Sequence, residues 1–107
     1  MSKRGRVYNK GIFAGIIEKN NGEYIFTYDE AYINNLEAMS ISQTLPKNVK
    51  QFRSPYLFAF FFGLLAEGSI KEIQCRKLKI DENDHFTRLL KTANSDVIGS
   101  ITIEEEI

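Results

Sequence analysis

Apolar and polar positions follow two different periods along this chain, and the change of period divides it. In the first third the period is two. Val7-Tyr8 and the run Ile12 to Glu18 are rich in β-branched and aromatic residues. In Glu23 to Tyr28, the residues Tyr24, Phe26 and Tyr28 fall on one face and Ile25 and Thr27 on the other, which predicts strands. Asn20-Asn21-Gly22 separates the last two runs, and Asn-Gly is a strong hairpin signal because both central residues take positive φ. Gly11 and Gly15 punctuate the early strands. A glycine inside a strand, as at Gly15, predicts a bulge or a close backbone approach that curls a small sheet.

Asp29 to Gln51 is mixed and polar, with room for a short strand at Ser40-Ile41-Ser42 before Leu45-Pro46. The residue before a proline is pushed toward extended geometry, so no helix crosses that point. The period then becomes helical. Pro55 is expected to open a helix with Ser54 as its cap, and Gly68 to end it. Ser69-Ile70-Lys71-Glu72 matches a capping box, predicting a second helix to about Leu78. A third starts near Asp84, with Phe86, Leu89, Leu90 and Ala93 at helical spacing and Asn94 as a left-handed stop. Val97 to Ile103 reads as a closing strand. The expected fold is α+β: a small curled antiparallel or mixed sheet with about three helices packed on it, in one domain spanning 1–107.

Composition narrows the function classes. The 107 residues are 43% hydrophobic and 26% charged, as in a compact globular domain. Fourteen basic residues balance fourteen acidic ones, so total charge favours neither nucleic acid nor a membrane. The basic start (Lys3, Arg4, Arg6) and the acidic end (Glu104, Glu105, Glu106) are expected to be solvated tails. The single cysteine, Cys75, cannot close an internal disulfide, which suits a reducing compartment, and its apolar surroundings suggest packing rather than nucleophilic chemistry. The start is polar with no apolar signal region, and the longest apolar run, Tyr56 to Ala66, is too short for a bilayer span. A soluble, cytoplasmic protein is expected.

Catalytic candidates are few. His85, beside Asp84, reads as a solvated surface residue. No Cys/His spacing suits zinc, no glycine loop suits phosphate, and the magnesium-binding and hydroxyl-activating motifs of protein kinases are missing. Asp81, Glu82 and Asp84 sit where a helix start favours negative charge. We expect no enzyme activity, no cofactor and no metal.

The run Pro55 to Ala66 needs an explanation. On a helical wheel Leu57, Phe60, Phe61, Leu64 and Leu65 make a broad apolar face, Phe58 and Phe62 widen it, and Ala59, Gly63 and Ala66 lie opposite. A helix apolar all round is either buried on every side or shared with a partner. Phe61, Leu64 and Leu65 are assigned to the core. Phe58, Phe62, Gly63, Glu67 and Gly68 are assigned to partner binding, because an edge aromatic can anchor a partner and exposed loops carry function.

The order of short motifs resembles the N-terminal subdomain of HipA-type serine/threonine kinases over nearly the whole chain. The matching positions are Val7-Tyr8-Asn9-Lys10-Gly11 with Ala14-Gly15, then Phe26, Tyr28 and Tyr32, then Ser40, Ser42, Leu45 and Pro46. Phe61 to Gly68 follows, and last come Asp84, Phe86, Leu89, Leu90, Asp96 and Gly99. Two positions depart: Ala66 stands where the family has proline, and Asn94-Ser95 replaces a glycine run. The family's catalytic motifs lie outside the matched segment, so no catalytic residue carries over. In split, three-gene toxin–antitoxin systems of this family, a small protein called HipS corresponds to this subdomain and neutralises a shorter kinase, HipT. A HipB-like DNA-binding protein is the third component. The resemblance therefore implies an antitoxin that binds a HipT/HipA-like kinase, with a HipB-like protein in the same complex. The alternative is a structural or activating subunit that completes such a kinase without inhibiting it. Direct nucleic-acid binding through Lys3, Arg4 and Arg6 is disfavoured, since three charges make few phosphate contacts.

Overall fold

A computed structural model describes residues 3–93 and 100–106. The chain order is β1 (Lys3–Asn9), β2 (Ile12–Asn20), β3 (Glu23–Tyr28), α1 (Glu30–Asn34), β4 (Gln51–Ser54), α2 (Ala59–Phe62), α3 (Gly68–Leu78), α4 (His85–Thr92) and β5 (Ile101–Glu106). The strands form one antiparallel sheet in the order β4-β3-β2-β1-β5. The fold is α+β.

Two tight turns make the first three strands a meander. Asn21 (φ 54°) and Gly22 (φ 78°) form the expected two-residue hairpin, and Lys10 (φ 53°) with Gly11 (φ 80°) repeats the geometry between β1 and β2. Between Val7 and Tyr8 the β1–β2 register slips by one, so that Val7 faces Gly15 and Tyr8 faces Phe13. Ala14 is the extra residue of a bulge, and its carbonyl accepts the Asp29 amide at 2.7 Å. That bond swings the chain from β3 into α1.

One face of the sheet is covered. Val7, Ile17, Phe26, Tyr28 and Ile103 from the strands meet Phe61, Leu65, Phe86, Leu89 and Leu90 from the helical side, all buried. The helical stripe Phe86-Leu89-Leu90 is the one read from spacing, and Asp84 caps α4 by accepting from the Thr87 amide (3.2 Å) and hydroxyl (2.7 Å).

Several expectations change. Pro55 opens no helix: Gln51–Ser54 joins the sheet as β4, with Phe52 opposite Phe26, and the residue before a proline is biased to extended geometry. The Ser54 hydroxyl instead accepts the Tyr56 amide in a turn. The aromatic helix shrinks to the single turn α2. Gly68 begins α3 rather than ending a preceding helix, and Glu67, not Ser69, stands at its N-cap without a side-chain cap bond, so the capping box does not form. Ser40-Ile41-Ser42 is no strand; only an isolated Ser42–Leu45 bridge exists there. The basic start and acidic end are no solvated tails. They are neighbouring strands, with Arg4 opposite Glu106 and Arg6 opposite Glu104. Asn94 to Gly99, including the expected stop and the start of the closing strand, lies outside the described residues.

Among the described residues no helix is long and apolar enough to cross a membrane, and no group of His, Cys, Asp and Glu could hold a metal ion.

Candidate functional site

The end of the aromatic run turns back on itself. The Gly63 amide bonds the Ala59 carbonyl, and the Leu64 and Leu65 amides bond the carbonyls of Phe61 and Phe62 at 3.1 Å each. This coil sends Phe61 inward against Phe26 and leaves Phe62 44% exposed. Leu65 is buried, and Glu67 then runs extended into Gly68, whose φ of 63° lets the chain enter α3.

Between this coil and α3 lies a cavity of about 270 Å³. Phe62 and Leu65 line one side, Ala66, Glu67 and Gly68 the loop, Lys71 the rim and Arg88 the wall on α4. Arg88 is 3% exposed, the one buried charged side chain among the described residues. Its guanidinium donates to the Ala66 carbonyl (2.7 Å) and, more weakly, to the Glu82 carbonyl (3.5 Å), and it meets His85 Nδ1 at 3.1 Å. Because arginine only donates, His85 Nδ1 must accept, which places the imidazole proton on Nε2. Partial burial, then the charges of Arg88 and Lys71, hold the imidazole pKa below its ordinary value against the opposing pull of Asp84. The His85 ring also stands edge-on to Phe62, 5.0 Å between centroids. His85 is therefore half-buried and neutral, not the solvated residue expected from its neighbours in sequence.

The structure thus brings Phe62, Glu67 and Gly68 to one cavity, with Gly63 exposed on the adjoining turn. Phe58 lies apart, packed edge-on against Phe61 and half-buried. Sequence reasoning missed Arg88. The one available signal was its place between Phe86 and Leu89 on an otherwise apolar helical stripe. Larger hollows exist, two of about 410 Å³ between Arg4 and Lys50 and beside Met39 and Phe60, one of about 390 Å³ beside Cys75 and one of about 280 Å³ beside the Asn21-Gly22 turn. None of these is lined by a buried charge.

A family model described as the HipA N-terminal domain matches residues 5–104. The chain belongs to the HipA N-terminal domain family. A solved structure titled as the N-terminal domain of HipA toxin superposes with a TM-score of 0.72 at 26% identity, covering 98% of this chain and 93% of that one. An uncharacterized protein of Haemophilus influenzae is 29% identical over 104 residues, 97% of this chain and 93% of its own length. A Sinorhizobium fredii protein provisionally named kinase Y4mE is 28% identical over 89 residues, but these are only 21% of its length. The same HipA N-terminal domain thus corresponds to almost all of one relative and to a small part of another.

Proposed function

We propose that this HipA N-terminal domain is a non-catalytic, cytoplasmic binding module that docks on a HipA-like kinase and restrains it as an antitoxin, in company with a HipB-like protein. The observation that carries the reading is the contrast between the two relatives. A segment that is one fifth of a kinase-named protein is also nearly the whole of a small one, so the contacts it makes within a long chain are available between chains. Its docking surface is the end of α2 and the loop into α3. Phe62 is the anchor: a large aromatic, half in solvent, beside a cavity that a partner side chain can fill.

Co-expression with a short HipA-like kinase tests this. Growth should be rescued, and the two proteins should co-purify. Phe62→Ala and Glu67→Ala should weaken the complex while leaving the melting temperature nearly unchanged. Phe61→Ala, by contrast, empties a fully buried site and should cost ~3–5 kcal/mol of stability. Co-purification with unchanged or increased kinase activity would replace the antitoxin reading with that of a completing subunit. Normal binding by both surface variants would move the docking surface elsewhere.

A further inference from the structure

We infer that the cavity between α2 and the first turn of α3 is a binding site for a carboxylate group supplied by a partner protein. The inference rests on the docking reading for the source of that carboxylate, but the chemistry of the pocket stands by itself. Arg88 brings a planar guanidinium, a cation with donors only and no acceptor. Its acceptors, the carbonyls of Ala66 and Glu82 and the neutral His85, carry no charge. It takes part in none of the five ion pairs among the described residues. A buried cation without a counter-charge is costly, and this one lines an open cavity through which a counter-charge can arrive.

A second feature points at the same space. α3, eleven residues long, begins on this cavity, and its N-cap Glu67 makes no side-chain bond to the first-turn amides. Those N–H groups lack intrahelical partners and sit at the positive end of the helix dipole. A buried guanidinium and an uncapped helix start therefore border one hollow.

The charge balance selects the ligand. Arg88 and Lys71 contribute one positive charge each, Glu67 one negative, and His85 none. The surplus of one positive charge matches a carboxylate. A phosphate monoester, with a charge of roughly −1.5 to −2, would be over-charged for the site. The volume admits only a small group, and the exposed ring of Phe62 offers a wall for an aliphatic stem. An acidic side chain and a chain terminus share this chemistry, and separate probes distinguish them.

Two-dimensional amide spectra of the full 107-residue chain supply the test. The probes are N-acetylglutamate α-amide for a side chain, N-acetylglycine for a terminus, N-acetylglutamine α-amide as the neutral control, and inorganic phosphate. At least one carboxylate probe should give saturable shifts at Arg88 Nε–H and at the amides of Gly68, Ser69 and Ile70. The neutral probe should give none. Arg88→Met should weaken carboxylate binding roughly tenfold or more, the loss expected for a charge-assisted hydrogen bond. Lys71→Gln, at the rim, keeps the inference testable if Arg88→Met does not fold, and should weaken binding about two- to threefold. Equal binding of the neutral probe, tighter binding of phosphate, or indifference to Lys71→Gln would each overturn the assignment. Carboxylate binding without kinase docking would sink the docking reading alone; kinase docking without carboxylate binding would sink this one alone.

Discussion

His85 and Arg88 show how far a residue's role depends on what the fold brings to it. In sequence His85 adjoins three carboxylates, Asp81, Glu82 and Asp84, and looks like a solvated imidazole. In the fold it faces Arg88, Lys71 and the Phe62 ring, and its pKa is lowered, by partial burial first and by the two cations second. The folded state therefore holds the imidazole proton less tightly than the unfolded chain does. Stability linked to this group is complete above the ordinary histidine pKa of about 6.5 and is lost as pH falls below it. Asp84 behaves alike in a lower window. Burial opposes its ionisation, but the Thr87 hydroxyl and amide, with Lys3 and Lys19, outweigh burial and lower its pKa, so its contribution fades only as pH falls through the acid range. His85 is the single histidine, which isolates the upper window. Thermal melts should be flat from pH 8 to 7 and drop between about pH 6.5 and 5. His85→Gln should flatten that drop; an unchanged profile in the variant would assign it to other groups.

At the scale of elements, local chemistry was legible where one signal dominated. The Asn21-Gly22 turn and the Asp84 cap with its Phe86-Leu89-Leu90 stripe emerge as read, because each is decided within a few residues. α1 was not legible, since its support is distant. Tyr32 is fixed by its hydroxyl bonding the Met39 carbonyl (2.5 Å) and accepting from Asn9, while Lys47 Nζ reaches the carbonyls of Asn35 and Ala38 at 2.6 Å each. α2 was over-extended for a different reason. The aromatic run is a weak helix former, and pairing of Gln51–Ser54 with β3 claims the chain just before Pro55. One turn suffices to bury Phe61. Gly15 lies between these cases: the sequence signalled a bulge or a close approach, and both occur. A Cβ there would fall on the Thr27 carbonyl and within 3.0 Å of Tyr28 Cα, backbone atoms that cannot step aside without parting β2 from β3. Gly15→Ala should cost about 2–3 kcal/mol in urea unfolding, the upper range for overpacking. At Gly5 a Cβ meets side-chain atoms rather than backbone, Leu90 Cδ2 at 2.6 Å, Ile103 Cγ2 at 2.8 Å and Ile17 Cγ2 at 3.4 Å, so Gly5→Ala should cost less. Equal losses would mean that the strands relax more readily than this packing allows.

Across the whole molecule, the two ends of the described chain complete one sheet. The balance of fourteen basic and fourteen acidic residues says nothing of arrangement, and the terminal charge runs looked like tails because each lacks apolar alternation over most of its length. Pairing gives them a place. Glu106 reaches Arg4 at 3.5 Å and Arg6 at 3.9 Å, and Lys91 reaches Glu105 at 2.5 Å. These pairs are exposed or half-exposed, and such pairs contribute roughly 0–1 kcal/mol each, so charge complementarity sets register more than it sets stability. The apolar partners carry the energy. Ile103 is fully buried, Ile101 nearly so, and the Ile103 amide bonds the Ala93 carbonyl at the end of α4. Loss of one buried isoleucine costs ~2–5 kcal/mol, against about 5–15 kcal/mol for a whole domain. Glu105→Gln, which breaks one such pair, should therefore lower stability by no more than ~1 kcal/mol. Ile103→Ala should lower it by several times as much, and a chain ending at Ser100 should show no cooperative melt by circular dichroism. Such a chain would expose the edge of β1 and remove the strand against which α4 packs, loosening the helix that carries Arg88. A cooperative melt from the shortened chain would mean that β5 is an accessory strand, and that the cavity holding Arg88 is sustained by the helices alone.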